Sequence, residues 1–140
     1  MTPTAAATPP VVRYMLLCDD VRPDADNTHC THIDCVMGTI RSLDDPPFPH
    51  LRDQFCVYLV LTECYGGGNA QIRVAFVDVD PEQPIFGSSV RPLDFTGHTP
   101  LDLLGVVFRL RDCQFPQAGR YSVQLWYNGQ QIEERPLVLR

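Results

Sequence analysis

The sequence predicts an all-β fold, a β-sandwich of about seven or eight short antiparallel strands with little or no helix. Three observations predict it. Apolar and polar residues alternate over short runs, which is the period of a strand with one buried face. Among 140 residues there are 13 prolines and 9 glycines, which break those runs and leave no room for a long helix. The third is the closing stretch, where Val123 and Leu125 alternate with Ser122 and Gln124 ahead of Asn128-Gly129. Asn-Gly accommodates the two positive φ angles of a type I′ turn, so a hairpin closes the chain. A partly open barrel is the competing arrangement.

Residues 1–11 are rich in Thr, Ala and Pro and are expected to form a disordered lead; one domain then spans residues 12–140. Its first strand is expected from Val12 to Cys18, followed by a polar loop through Asp19-Asp20 to Asn27. A second strand is expected from His32 to Leu43, with Ile33, Cys35 and Met37 in phase and Gly38 as a bulge or close backbone approach. Asp44 to Pro49 is a stiff, proline-rich loop. Phe55 to Thr62 is apolar on both faces, which suits a central strand. Gly66 to Asn69 turns the chain, and Ala70 to Phe76 reads as the hairpin partner of the preceding strand. Pro81 to Pro92 holds one short edge strand, Pro100 to Leu104 a single helical turn, and Val106 to Leu110 a strand with one wet face. In the last arm Ile132 lies in the even phase but Leu137 and Leu139 in the odd, so a bulge or strand switch is expected near Arg135-Pro136.

The net charge is −6, from 11 basic residues, all arginine, against 17 acidic ones. No excess of cations is available to release counterions from a phosphate backbone, so nucleic acid is not an expected partner. No apolar run approaches the roughly 20 residues that span a bilayer, so no membrane partner is expected either. The opening residues lack the basic and apolar regions of an export signal, and a cytoplasmic protein with six reduced cysteines is the expectation.

Phe115-Pro116-x-x-Gly119-x-Tyr121, followed by Leu125, Asn128-Gly129 and the terminal Pro136-Leu137-Val138-Leu139-Arg140, resembles the last two strands of immunoglobulin-like and fibronectin-like sandwiches. Together with Tyr14-Met15-Leu16-Leu17-Cys18-Asp19-Asp20, the chain resembles a family of small uncharacterised bacterial β-sandwich proteins over residues 13–140. The resemblance implies an immunoglobulin-like sandwich with a tyrosine packed at a corner. It implies no activity, catalytic residue or cofactor.

The densest group of metal-capable side chains is His29, Cys30, His32 and Cys35, since zinc takes thiolate and imidazole in a tetrahedron. A strand over residues 32–35 would split that set between two faces. Cys18 and Cys30 are candidate nucleophiles, but the carboxylates of Asp19 and Asp20 would suppress Cys18. Asp19, Asp20, Asp24, Asp26, Asp78 and Asp80 resemble calcium-binding carboxylate loops, although Asp also serves turns by bonding its own backbone. Gly66-Gly67-Gly68 lacks the Lys-Ser/Thr and the helix of a phosphate loop. Trp126 and Tyr127 beside the hairpin turn are the candidate interface, because aromatics anchor interfaces.

The leading expectation is a non-enzymatic module that binds a protein partner or forms a homodimer, with no cofactor. A protein that binds zinc or calcium, a metal-dependent hydrolase centred on His29, Cys30, His32 and Cys35, is the alternative. Carbohydrate binding through Trp126, Tyr65 and Tyr127 ranks third.

Overall fold

The computed structural model describes residues 8–26 and 30–140. Residues 1–7 of the expected lead and His29 of the candidate metal group lie outside the described residues. The rest is all-β, and no helix occurs among the described residues. In chain order the strands are β1 (Val11–Pro23), β2 (Thr31–Val36), β3 (Thr39–Ile40), β4 (His50–Thr62) and β5 (Gly67–Phe76). They continue as β6 (Asp80–Gly87), β7 (Arg91–Asp94), β8 (Leu104–Phe115), β9 (Gly119–Tyr127) and β10 (Gln130–Leu139). One sheet has the order β2-β1-β4-β8; the other runs β3-β10-β9-β5-β6, with β7 also paired to β5. Their inner faces share one core, including Phe55, Val57 and Leu59 from β4 and Ile72, Val74, Val123 and Leu125 from the opposite sheet. Two sheets over a common core are consistent with a β-sandwich.

The closing hairpin forms as the sequence requires. Asn128 and Gly129 take φ of 50° and 77°, and β9 pairs with β10 on one side and β5 on the other. The phase change in the return arm is real but lies upstream of Arg135-Pro136, at a register shift between Gln131 and Glu133. Pro136 itself sits opposite Ser122 in regular pairing. At the foot of β9 the Tyr121 side chain is 1% exposed, and its hydroxyl donates to the Gln117 carbonyl at 2.6 Å. That bond holds the corner between β8 and β9, and the ring packs between Phe76 and Phe115.

Several boundaries differ from the expectation, the largest of them for tertiary reasons. β1 does not stop at Cys18 but runs on to Pro23, because Asp19 and Asp20 are paired with Arg52 of β4 and Arg109 of β8. The expected strand from His32 to Leu43 is two strands in two sheets: after Val36 the chain crosses at Met37-Gly38, and Thr39–Ile40 pairs in parallel with Val138–Leu139. β4 and β5 are not a hairpin. Left-handed Glu63 (φ 53°) and Gly66 (φ 65°) redirect the chain into the other sheet. The segment expected to hold one edge strand holds β6 and leads into β7, and with β3 these short pieces bring the described strands to ten. Pro100 to Leu104 forms a turn, in which the Asp102 N–H donates to the Thr99 carbonyl at 3.0 Å, before β8 begins.

Candidate functional site

The outer face of the four-stranded sheet is where the chemistry departs from what a sandwich needs. An outward face is ordinarily polar. Here β1 pairs Tyr14 with Val60 and Leu16 with Tyr58 of β4, and β4 in turn sets Tyr58 beside Val107 and Val60 beside Gly105 of β8. Tyr14 is 54% exposed, and Leu16, Tyr58, Val60 and Val107 are half-buried. A methyl group on Gly105 would stand 3.1 Å from the Tyr58 hydroxyl, so the tyrosine lies across the space that the glycine leaves open. The result is an apolar surface across the middle of the sheet, with no layer above it among the described residues.

Beyond this apolar half the same face becomes charged and internally neutralised. Arg109 reaches Asp20 at 2.9 Å and the Val21 carbonyl at 2.7 Å, and Arg22 reaches Asp34 at 3.1 Å. Arg22 holds the Asp34 carboxyl below its usual range. Between the two halves Cys18 and Cys56 stand directly opposite each other, both fully buried with Val21. Burial, then Cys56 and the carboxylates of Asp19 and Asp20, push the Cys18 thiol up to about 11. Burial also raises Cys56, outweighing the Arg109 guanidinium 3.4 Å from its sulfur. Neither thiol supplies a thiolate at neutral pH, so the pair packs as small apolar groups.

The residues singled out from sequence lie elsewhere. His32 of β2 meets Asp24 across the β1–β2 hairpin at 2.5 Å, and the Asp24 N–H donates to the Cys30 carbonyl at 3.0 Å, so Cys30 and His32 do come to one hairpin end. Cys35 lies further along β2 in a left-handed conformation (φ 55°), on a depression of about 200 Å³ with Arg41 and Arg52. Among the described residues no three His, Cys, Asp or Glu side chains are gathered closely enough to hold a metal ion. Of the calcium candidates, Asp19 and Asp20 are bound by arginines. Asp78 receives the Arg120 backbone N–H and guanidinium at 2.7–2.9 Å, and Asp80 caps the Glu82 N–H.

Trp126 and Tyr127 divide between the faces of β9. Tyr127 is 3% exposed and belongs to the core, where its hydroxyl is buried without a partner. Trp126 is half-buried on the outer face of the six-stranded sheet, with the Arg73 guanidinium 4.1 Å above its ring and its indole N–H on Gln124 at 2.9 Å. Its polar surroundings are internally satisfied: Arg73 donates to Gln71, and Gln71 to the Ser88 carbonyl. The apolar outer face of the other sheet was signalled in sequence by Cys56, Tyr58 and Val60, but double-faced apolarity in β4 reads as burial until the layers are known.

The six cysteines are all free, with Cys30 and Cys35 exposed and the other four buried. Burial raises Cys64 as well and pushes Cys113 up to about 12. In the folded protein an aromatic disulfide reagent at neutral pH is therefore expected to titrate Cys30 and Cys35 quickly, and the remainder only on unfolding. Rapid reaction of Cys18 or Cys56 would show that the outer face opens.

The fold and surface define an all-β, two-sheet protein with an apolar outer face on its four-stranded sheet. The chain belongs to the family described as "Family of unknown function (DUF6941)", which it matches over residues 13–140. No curated protein matches the sequence. Among solved structures it is similar to the Pseudomonas fluorescens alkylpurine DNA glycosylase AlkC bound to DNA containing an abasic site analog, at 12% identity and a TM-score of 0.47. That likeness covers 90% of this chain and 30% of the glycosylase chain, and at that level it carries no argument about function. No helix among the described residues is long and apolar enough to cross a membrane.

Proposed function

We propose that this is a non-enzymatic, immunoglobulin-like β-sandwich module of the bacterial cytoplasm that binds a protein or assembles with itself. The observation that carries the reading is the apolar outer face of the four-stranded sheet, where Tyr14, Leu16, Tyr58, Val60 and Val107 meet solvent. Aromatic and aliphatic side chains bordered at one end by satisfied charges resemble the composition of an interface centre with a polar rim. The Tyr121–Gln117 bond supports the immunoglobulin-like assignment, since such domains fix the corner before the penultimate strand in this way.

The test is a charge placed on the face without disturbing the core. Val60→Lys and Val107→Glu are expected to keep the wild-type melting temperature within a few degrees. Each is expected to weaken retention of the bound protein, another chain or a second copy, at least about tenfold, which corresponds to about 1.4 kcal/mol. Quantitative pull-down and sedimentation velocity read both outcomes; unchanged binding in both variants would remove this face from the function.

A metal reading is the second proposal, favoured by the approach of Cys30 and His32 at the β1–β2 hairpin end; Cys35 would have to move to join. Zinc held there would protect Cys30 and Cys35 from the thiol reagent until chelator is added. Immediate reaction of both in metal-supplemented protein would eliminate it.

A further inference from the structure

Open sheet edges invite pairing with other chains, and proteins defend them with prolines, charges, bulges and brevity. β6 carries Pro81 and Pro84 with Asp80 and Glu82. β8 carries Arg109, Arg111 and a left-handed Asp112 (φ 55°), and Arg91 caps its Val107 carbonyl at 2.5 Å. β2 and β3 are short, at 6 and 2 residues. One edge is defended only by a single charge and a single bulge. β2 flanks β1 only from Cys18 to Pro23, and the Met37 N–H donates to the Leu17 carbonyl at 2.8 Å just as the chain leaves for the other sheet. Among the described residues Val11 to Leu16 thereby has no strand on that side, and it carries no proline, no carboxylate, one charge, Arg13, and the bulge between Val12 and Tyr14.

We propose that this open length of β1 pairs with the same length of a second copy of the chain, antiparallel about a two-fold axis at Tyr14. The inference rests on the self-assembly branch of the reading above and names its edge, partner and register. Residues directly opposite in an antiparallel pair point to the same face, so an axis perpendicular to the sheet sets a residue opposite itself. β1 has a register shift between Val12 and Tyr14, where two residues stand against one. With that bulge counted in both copies, Tyr14 meets the partner's Tyr14 and Met15 meets the partner's Val12-Arg13. Leu16 then meets the partner's Val11, outward residue against outward residue. The overlap uses the whole of Val11–Leu16 and nothing beyond it. It ends where β2 begins, and at the other end Pro9 and Pro10 cannot continue a ladder.

The side chains suit this occupant. Val11 is 46% exposed and Tyr14 54%, and each gains an apolar neighbour. A notch of about 220 Å³ beside the edge is lined by Met15, Leu17, Val36 and Met37 together with Arg135 and Pro136 of β10, and its apolar side receives the incoming aliphatic side chain. The paired sheets form one continuous surface on which the two apolar outer faces adjoin.

Site-directed cross-linking tests the register. In a Cys30→Ser/Cys35→Ser background, Tyr14→Cys is expected to form a disulfide-linked dimer under mild oxidation, because directly opposed Cα atoms lie about 4.5–5.5 Å apart. Leu16→Cys alone is expected to stay monomeric under denaturing electrophoresis, and to link when mixed with Val11→Cys. Sedimentation velocity is expected to give twice 15.8 kDa for wild type and 15.8 kDa for Tyr14→Glu, whose carboxylates would face each other across the axis. A wild-type monomer at tens of micromolar overturns the pairing and leaves the binding reading to the Val60→Lys pull-down. A wild-type dimer in which Tyr14→Cys does not link overturns this edge while leaving self-assembly standing.

Discussion

Phe115→Ala is expected to lower the unfolding free energy by about 3–5 kcal/mol. Phe115 is fully buried at the end of β8, opposite His50 of β4 in the ladder. Its ring stands 5.1 Å from Tyr121, edge to face, and 6.3 Å from Phe55. It therefore joins the end of the four-stranded sheet to the corner that starts β9 in the other sheet. Truncation removes both the apolar burial and the partner of Tyr121, and the neighbouring strands are tied by their ladders and cannot collapse into the space. Small domains hold about 5–15 kcal/mol in all, so the variant should fold weakly or not at all at 37 °C. Guanidinium titration monitored by circular dichroism measures the change. A loss under about 1 kcal/mol would mean that the two sheets are not coupled through this ring.

Gly119→Ala comes next. Gly119 opens β9 with φ of 143°, a conformation that L side chains rarely adopt. An added Cβ would lie 2.6 Å from the Phe76 ring and 2.7 Å from the Asp78 carboxylate. The backbone strain and the overpacking together should cost about 2–4 kcal/mol. The carboxylate cannot retreat freely, because it accepts from the Arg120 backbone and guanidinium. These contacts, the backbone one foremost, hold the Asp78 carboxyl below its usual range, and in Gly119→Ala its pKa should rise toward the ordinary value. Carboxylate titration by NMR alongside thermal melting checks both parts. A variant that melts like wild type with an unshifted Asp78 would show that the corner accommodates a side chain.

Both substitutions act in the part of the fold that was most legible in sequence. Asn128-Gly129 specifies its turn chemically, and the alternation from Tyr121 to Leu125 needs only one buried face, so β9 and β10 could be placed from local rules. The crossing of the chain between sheets could not. Whether Ile40 continues the strand of Cys35 or starts another depends on β10, nearly a hundred residues later, which no local pattern encodes. Asp19 and Asp20 read as loop because isolated carboxylates oppose a buried strand; Arg52 and Arg109, brought from two other strands, reverse that. The candidate site shows the same limit. The apolar outward residues of β4 were visible as apolar, but only the layer count shows that no described residue forms a layer over them.

The meeting of β3 with the end of β10 also sets a constraint on the order of folding. Thr39 and Ile40 contribute a two-residue parallel pairing to Val138 and Leu139, across a loop of about a hundred residues. Two paired residues return little against the entropy of closing such a loop, so this seam cannot nucleate the fold. It must wait until the β9–β10 hairpin and the β1–β4–β8 ladder have brought its halves together. The crossing at Met37-Gly38 is then the stitch that records completion: once it is in place, the chain after Val36 is held in the second sheet and cannot extend β2 along Val11 to Leu16.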